Sequence, residues 1–422
     1  MVVLDSVLFG RKNNTVKVID SIMGSGKTTK VLEWMDNNPN KSYIYVSPLL
    51  SEVDEGGRVH TSLTNVTLEI PSNDGGTKTD SLLQLLKSGA SIACTHKLYL
   101  SMGEKHFHQM SLNNYTVIID EEIDVIGGFD RYSRSDLQWL IENNNISISQ
   151  EDGMVSWIGS RDRIDKTHKY YEFLKYCDSK SLYCTKRSEV MMCTQLPIKL
   201  FECAKEVIIL TYMFDGNILD CFLKLKGFDV EPFAEITPDK VNKVDVKKLL
   251  TVVPPNDVLM NYSLSSNWYL NANATMLKEV GKYIRNVAKG GGFANGDVLW
   301  TLPKNRAVRG NVKSKNLIRP IGYSFYEDEN GVKKPCWIAT QTRATNDYRT
   351  KKCMVHCYNR FPLQPVASYL QDYGHDVDVK VFATSELVQW AWRGCVRDDK
   401  PMTLAIGSKR MHKYFLDWLE EE

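Results

Sequence analysis

The segment Val16-Lys17-Val18-Ile19-Asp20-Ser21-Ile22-Met23-Gly24-Ser25-Gly26-Lys27-Thr28-Thr29 runs an apolar strand into a glycine-rich turn closed by Lys-Thr. Phosphate chemistry explains these residue types. Gly24 and Gly26 permit backbone angles that other residues resist, so that successive N–H groups can converge into a concave anion cradle. Lys27 supplies a point charge near the β- and γ-phosphates, and the Thr28 hydroxyl is placed to ligate Mg²⁺. Met23, Gly24, Ser25, Gly26, Lys27, Thr28 and Thr29 are therefore the candidate nucleotide-binding residues. The helix expected from Thr29 to about Met35 aims its positive end at the same phosphates. Ser21 stands where the usual pattern begins with glycine.

A second constellation is Val117-Ile118-Ile119-Asp120-Glu121-Glu122-Ile123, an apolar strand ending in adjacent acids. The carboxyl ends of strands are where open α/β sheets bind ligands. Asp120 suits a Mg²⁺ ion, held directly or through water, and Glu121 suits the orientation and deprotonation of an attacking water. The loop and the acids together point to hydrolysis of a nucleoside triphosphate, with ATP and Mg²⁺ as the expected cofactors.

The elements that must position these groups read as strands alternating with helices. Apolar runs at Val16–Ile19, Ser42–Val46, Val66–Ile70, Ser91–Cys94, Thr116–Ile119 and Val207–Leu210 have the rhythm of a parallel sheet with crossover helices. A second series follows Pro254-Pro255 at Val298–Trp300, Trp337–Ala339, Met354–Tyr358, Val379–Phe382 and Thr403–Ile406. The fold class expected is α/β, with a first domain over 1–235 and a second over 236–422. The stretch from 126 to 205 is too long for a simple strand-helix-strand connection. Arg161–Tyr176 has helical character, so a mainly helical insertion is expected there.

Composition sets outer limits. The 422 residues carry 53 Lys plus Arg against 51 Asp plus Glu, so a nucleic-acid partner must be held by local patches and not by a global field. The 10 cysteines contain no CxxC pair and read as buried thiols of a reducing compartment. In Cys353-Met354-Val355-His356-Cys357, strand alternation puts the cysteines and the histidine on opposite faces, which argues against a zinc site. No stretch approaches a membrane span and no signal-peptide pattern is seen, so a cytoplasmic protein is expected. Between Leu302 and Pro320, Lys304, Arg306, Arg309, Lys313, Lys315 and Arg319 occur without an acid, as either a phosphate-tracking run or a solvated surface loop. Tyr170, Tyr171, Phe173 and Tyr176, close to Arg161, Arg163, Lys166 and Lys169, have the spacing either of core residues or of a base-stacking surface.

With these motifs in order along the chain, the sequence resembles the superfamily 2 helicase-like ATPases, in the DEAD/DEAH-type form found in phage replication and recombination proteins. The resemblance covers most of the chain. Asp120-Glu121-Glu122-Ile123 occupies the DExx box, departing from DEAD and DEAH in its last two positions. Tyr43–Leu50, with Pro48 and Leu49, and Ala93–Leu98, with Thr95, resemble the segments that contact a nucleic-acid backbone. Leu210–Asp215 sits where the family has Ser/Thr-Ala-Thr, with Tyr212 in place of the alanine.

In the second half, Val298–Thr301 is similar to the strand of motif IV. Thr342–Asp347 resembles motif V, which implies nucleic-acid contacts from Thr345 and Asn346 and a nucleotide contact from Asp347. Gln389–Arg397 resembles motif VI, which implies a nucleotide contact from Gln389 and an arginine, Arg393 or Arg397, acting on the γ-phosphate. The family has arginines four and seven residues after the glutamine, whereas here they fall four and eight after it, an i, i+4 pair that one helix face could present.

The resemblance implies two tandem RecA-like domains and a nucleic-acid-dependent ATPase acting as a DNA helicase or translocase, with RNA as a possible alternative partner. A further protein partner would supply specificity. An ATP-switched origin-binding or loader protein, and a packaging-type motor, are the alternatives.

Overall fold

The computed structural model describes residues 13–162, 164–307, 316–342 and 347–421. They form two compact units. The first holds the chain up to Pro238 together with Pro362–Asp378; the second holds Asp239–Phe361 and Val379–Glu422, and the turn Ile22–Ser25 falls with it.

In the first unit, strands β1 (Thr15–Asp20), β2 (Tyr43–Ser47), β3 (Ile92–Thr95) and β4 (Thr116–Asp120) precede the insertion. The insertion contributes β5 (Ile126–Phe129), β6 (Ile146–Ile148), β7 (Val155–Trp157), β8 (Leu182–Thr185) and β9 (Ser188–Gln195), after which come β10 (Glu206–Thr211) and β11 (Asp229–Pro232). The main sheet is six-stranded, in the order β11-β1-β10-β4-β2-β3, and every pairing in it is parallel. Strands covered on both faces by helices must be apolar throughout, which is why Tyr43–Val46 and Val117–Ile119 are wholly buried.

The register decides what meets at the sheet's carboxyl edge. Asp20 lies beside Thr211, Leu210 beside Asp120, Val46 beside Ile119, and Ser47 beside Thr95.

In the second unit, β12 (Leu250–Val253), β13 (Val298–Thr301), β14 (Phe325–Glu327), β15 (Lys333–Pro335), β16 (Cys353–His356) and β17 (Met402–Ile406) follow in order. Four of them form a parallel sheet, β12-β17-β16-β13, and β14 and β15 make an antiparallel hairpin. The α/β reading of both halves therefore holds.

Several expectations are corrected. The insertion is not mainly helical. It holds a three-stranded antiparallel sheet, β5-β9-β8, and a β6-β7 hairpin beside helices Arg134–Glu142 and Tyr171–Asp178. The helix expected from Arg161 begins only at Tyr171, because the Asp165 carboxylate accepts from the Thr167 amide at 2.8 Å and its hydroxyl at 2.6 Å, a local turn that competes with helix.

Val379–Phe382 is not a strand but the start of the helix Val379–Ala391, whose burial of Ala383, Thr384, Leu387, Val388 and Trp390 overrides the strand character of its first residues. Val66–Ile70 and Trp337–Ala339 each contribute a single bridge, Glu69 to Ile92 and Trp337 to Trp300, in place of a strand.

Phe129, Phe173 and Tyr170 are buried in the insertion's own aromatic core, where Phe129 meets Phe173 at 5.7 Å and Tyr176 at 5.2 Å edge to face. The spacing of these aromatics serves packing. All ten cysteines are free and buried, and burial pushes the Cys94 thiol up to about 12. Among the described residues no helix is long and apolar enough to cross a membrane.

At the opposite edge of the main sheet, Glu206 ties three strands. Its carboxylate accepts from Lys17 Nζ at 2.7 Å, Lys41 Nζ at 3.2 Å and the Thr116 hydroxyl at 3.3 Å. Burial alone would raise its pKa, but Lys17 and Lys41 outweigh that and hold the carboxyl below its usual value. A depressed carboxyl contributes stability that is present above its unfolded pKa and is lost as pH falls through the folded value. Glu206→Gln is expected to lower unfolding stability by about 1–2 kcal/mol at neutral pH. In urea titrations the gap between variant and parent should close as the pH drops through the acidic range.

Candidate nucleotide site

The glycine-rich turn leaves β1 at Asp20 and enters the helix Lys27–Asp36. Gly24 has φ +88° and Gly26 φ +75°, both in the left-handed region where a side chain is strained, so the glycines are required by the backbone path. Gly26 is the residue preceding the helix, and no side chain caps it, which leaves first-turn amides facing the loop. Across the loop, Lys27 Nζ donates to the Ser21 carbonyl. Ser25 is 1% exposed and its hydroxyl has no hydrogen-bond partner among the described residues. Such a buried orphan group is uncommon and marks a place where a polar ligand atom would be accommodated.

The end of β4 meets this loop directly. Thr28 Oγ1 donates to the Asp120 carboxylate at 3.0 Å, with the second oxygen at 3.4 Å. Asp120 also accepts from the Tyr45 hydroxyl at 2.8 Å, and its carbonyl lies 2.9 Å from His96 Nε2. Burial, followed by the Asp120 charge, pushes the Tyr45 hydroxyl well above its ordinary pKa, so it remains a donor. A hydroxyl and a carboxylate side by side form an oxygen donor set that fits a hard divalent cation such as Mg²⁺.

Glu121 follows with φ +64°, an unfavourable conformation for its side chain, and is held there by its amide donating to the Leu210 carbonyl at 3.0 Å. The turn after β10 is fixed from both sides. Asp20 accepts from the Met213 and Phe214 amides at 2.7 and 2.8 Å, and Glu122 accepts from the Thr211 hydroxyl and from Asn217 Nδ2 at 2.6 Å.

Of the expected residues, Lys27, Thr28 and Asp120 are brought together, with Glu121 adjacent. Pro48 and Leu49 follow β2, and Thr95 ends β3, at the same carboxyl edge. The Thr95 hydroxyl caps the short helix that follows, accepting from the Leu98 amide at 3.4 Å. Thr345 and Asn346 lie outside the described residues, as do Arg163, Arg309, Lys313 and Lys315. Arg306, part of the basic run, is buried and donates to the Leu270 carbonyl at 3.1 Å, so it is a structural residue.

In the second unit Asp347 is exposed and Gln389 donates to the Ser385 hydroxyl at 2.8 Å. The helical i, i+4 pairing expected for Arg393 and Arg397 is corrected. The helix ends at Ala391, Gly394 is extended at ψ −175°, and Arg397 lies in a separate 3₁₀ turn, Cys395–Asp398. Buried Arg393 donates to the Thr340 carbonyl at 3.1 Å. The glycine between the arginines was the signal that no continuous helix carries both.

Sequence reasoning missed Asp20, Tyr45, His96, Glu122 and Asn217 as site residues. Only strand order brings them to the edge, although Asp20 and Glu122 flank recognised motifs.

Comparison with known proteins agrees with this architecture. Residues 242–419 match the family described as the YonV C-terminal Rossmann-like domain. The chain is 28% identical over 431 residues to the SPbeta prophage-derived uncharacterized protein YonV of Bacillus subtilis (strain 168), covering 96% of this chain and 99% of that protein. Among solved structures, an XPD apo structure superposes with a TM-score of 0.54 at 14% identity, covering 100% of this chain and 98% of the other. An XPD helicase structure gives 0.51 at 12%, covering 99% and 96%. At such low identity these two likenesses concern the fold, which is shared from end to end. The chain is thus similar to a prophage-derived protein in sequence and to XPD in fold.

Proposed function

We propose that this protein is a nucleic-acid-dependent ATPase of the superfamily 2 DEAD/DEAH type, acting as a DNA helicase or translocase in the life of a phage or prophage. The observation that carries the reading is the Thr28–Asp120 hydrogen bond, which sets the phosphate-loop helix against the acidic end of β4 with Glu121 beside it. The likeness to XPD over the whole chain supports a motor built on two α/β units, and the similarity to a prophage-derived protein supports the phage setting.

Thr28 and Asp120 would hold Mg²⁺, which supplies neutralising charge at the β- and γ-phosphate oxygens. The backbone amides from Gly24 to Thr29 bind the phosphates, and Lys27 balances their negative charge. Glu121 orients the attacking water and accepts its proton, its strained backbone holding the carboxylate in place. An arginine of the second unit, Arg393 or Arg397, completes stabilisation of the γ-phosphate charge. Asp347 and Gln389 add nucleotide contacts, while Pro48, Leu49, Thr95, Thr345 and Asn346 contact the nucleic-acid backbone. Hydrolysis is thereby coupled to movement along DNA in the host cytoplasm.

Steady-state ATP hydrolysis measured with and without single-stranded DNA, duplex, fork and RNA is the first test. A rate equal under all conditions would count decisively against a motor. Glu121→Gln should retain ATP binding while its turnover falls by about 10² to 10⁴. Arg393→Ala and Arg397→Ala, made separately, distinguish the two arginines. The one acting on the γ-phosphate should lose about 10³ to 10⁵ in kcat with an unchanged melting temperature. Loss of stability without that loss of rate would mark a packing role.

A further inference from the structure

The turn after β10 has ties that the reading of the phosphate site does not use. Asp220, 2% exposed, accepts from the Gly216 amide at 2.8 Å and from Lys224 Nζ at 2.8 Å. Asn217, already bonded to Glu122, accepts from the Asp220 amide at 2.9 Å and so caps the helix Ile218–Leu225. Gly216 sits at φ +77° and its carbonyl accepts from the Asp378 amide at 2.8 Å. A Cβ at Gly216 would stand 3.1 Å from the Asp378 Cβ, tighter than ordinary contact. Beside it, the Asp376 carbonyl lies 3.5 Å from Cys221 Sγ.

Asp378 closes a segment, Pro362–Asp378, that belongs to the first unit although the chain on either side belongs to the second. Its helix Gln364–Asp372 buries Val366, Tyr369 and Leu370 in the first unit's core. The Asp372 carboxylate, 5% exposed, is clasped at 2.8 Å by both Arg187 Nε and the Lys186 amide on the β8-β9 turn. The Tyr369 hydroxyl donates to the Asp152 carbonyl at 2.8 Å. Directly after Asp378 begins Val379–Ala391, the helix that carries Gln389 and leads to Arg393.

We infer that Pro362–Asp378 is a coupling strap, and that the Gly216–Asp378 contact is where the state of the turn after β10 is passed to the second unit. Asp20 and Glu122 hold that turn from the ends of β1 and β4, the strands bearing the phosphate loop and the acid pair. A shift of either strand end on binding a triphosphate therefore moves Met213–Asn217, and with it the Asp378 amide. The Asp372 clasp anchors the carboxyl end of the strap's helix shortly before Asp378, so displacement is delivered to Val379 and along the helix that follows instead of being absorbed in a slack connection. The inference rests on the ATPase reading and adds to it the path by which hydrolysis is felt beyond the first unit.

Hydrogen exchange of the full chain, with and without a non-hydrolysable ATP analogue and Mg²⁺, tests it in the parent, in Gly216→Ala and in Asp372→Asn. In the parent, the analogue should protect residues 24–30, 212–217 and 376–382. Gly216→Ala should keep the first response and lose the last. Its DNA-stimulated kcat should fall about tenfold, within the range that a single coupling contact carries, while the KM for ATP stays within about twofold. Asp372→Asn, which preserves helix packing, should weaken the response at 376–382 in the same direction and covers the case in which Gly216→Ala fails to fold. Protection at 24–30 without any at 376–382 in the parent, or a full response in Asp372→Asn, overturns the strap while leaving the ATPase standing. Absence of protection at 24–30 overturns the ATPase reading and the strap with it.

Discussion

The parallel pairing of β1, β10 and β4 is the constraint on which the candidate site depends. A parallel sheet brings the carboxyl ends of all its strands to one edge, so groups far apart in sequence become neighbours wherever the register places them. Here the register sets Asp20 beside Thr211 and Leu210 beside Asp120. The Thr28–Asp120 hydrogen bond then closes the arrangement by joining the helix after the glycine-rich loop to the strand bearing the acids. A slip of one residue in β4 would turn Asp120 to the other face and remove its partners Thr28 and Tyr45 together.

That edge is costly to hold. Two non-glycine residues, Glu121 and Met213, adopt left-handed backbone conformations there, and Ser25 buries a hydroxyl without a partner among the described residues. Strain of this kind persists only where neighbouring contacts over-determine the backbone. The bonds from Asp20 to the Met213 and Phe214 amides, and from the Glu121 amide to Leu210, do this. At the sheet's other edge, Glu206 accepts from Lys17 and Lys41 in a cluster of ion pairs. Stability and chemistry are thus separated across one sheet.

The sheets were legible because a strand buried on both faces must be apolar along its length, and such runs stand out between helices. The insertion was less legible. Its strands are short, its hairpin β8-β9 turns through Lys186-Arg187 without glycine or proline, and its aromatics recur at a spacing shared by helix and core. The strand expected at Val379–Phe382 shows the same ambiguity, since Val379, Val381 and Phe382 around Lys380 suit a strand, and only the burial continuing to Ala391 selects helix.

The sequence by itself determined the chemistry available at the loop and the strand end, because Gly24, Gly26, Lys27, Thr28, Asp120 and Glu121 have few other uses in that order and context. It also determined the α/β class in both halves. Tertiary structure alone decided that Tyr45, His96, Glu122 and Asn217 join the site, that Gly394 separates Arg393 from Arg397, and that Pro362–Asp378 packs with the first unit. These are consequences of register, of a single extended residue and of long-range burial, and none of them has a period or a local motif that a linear chain can display.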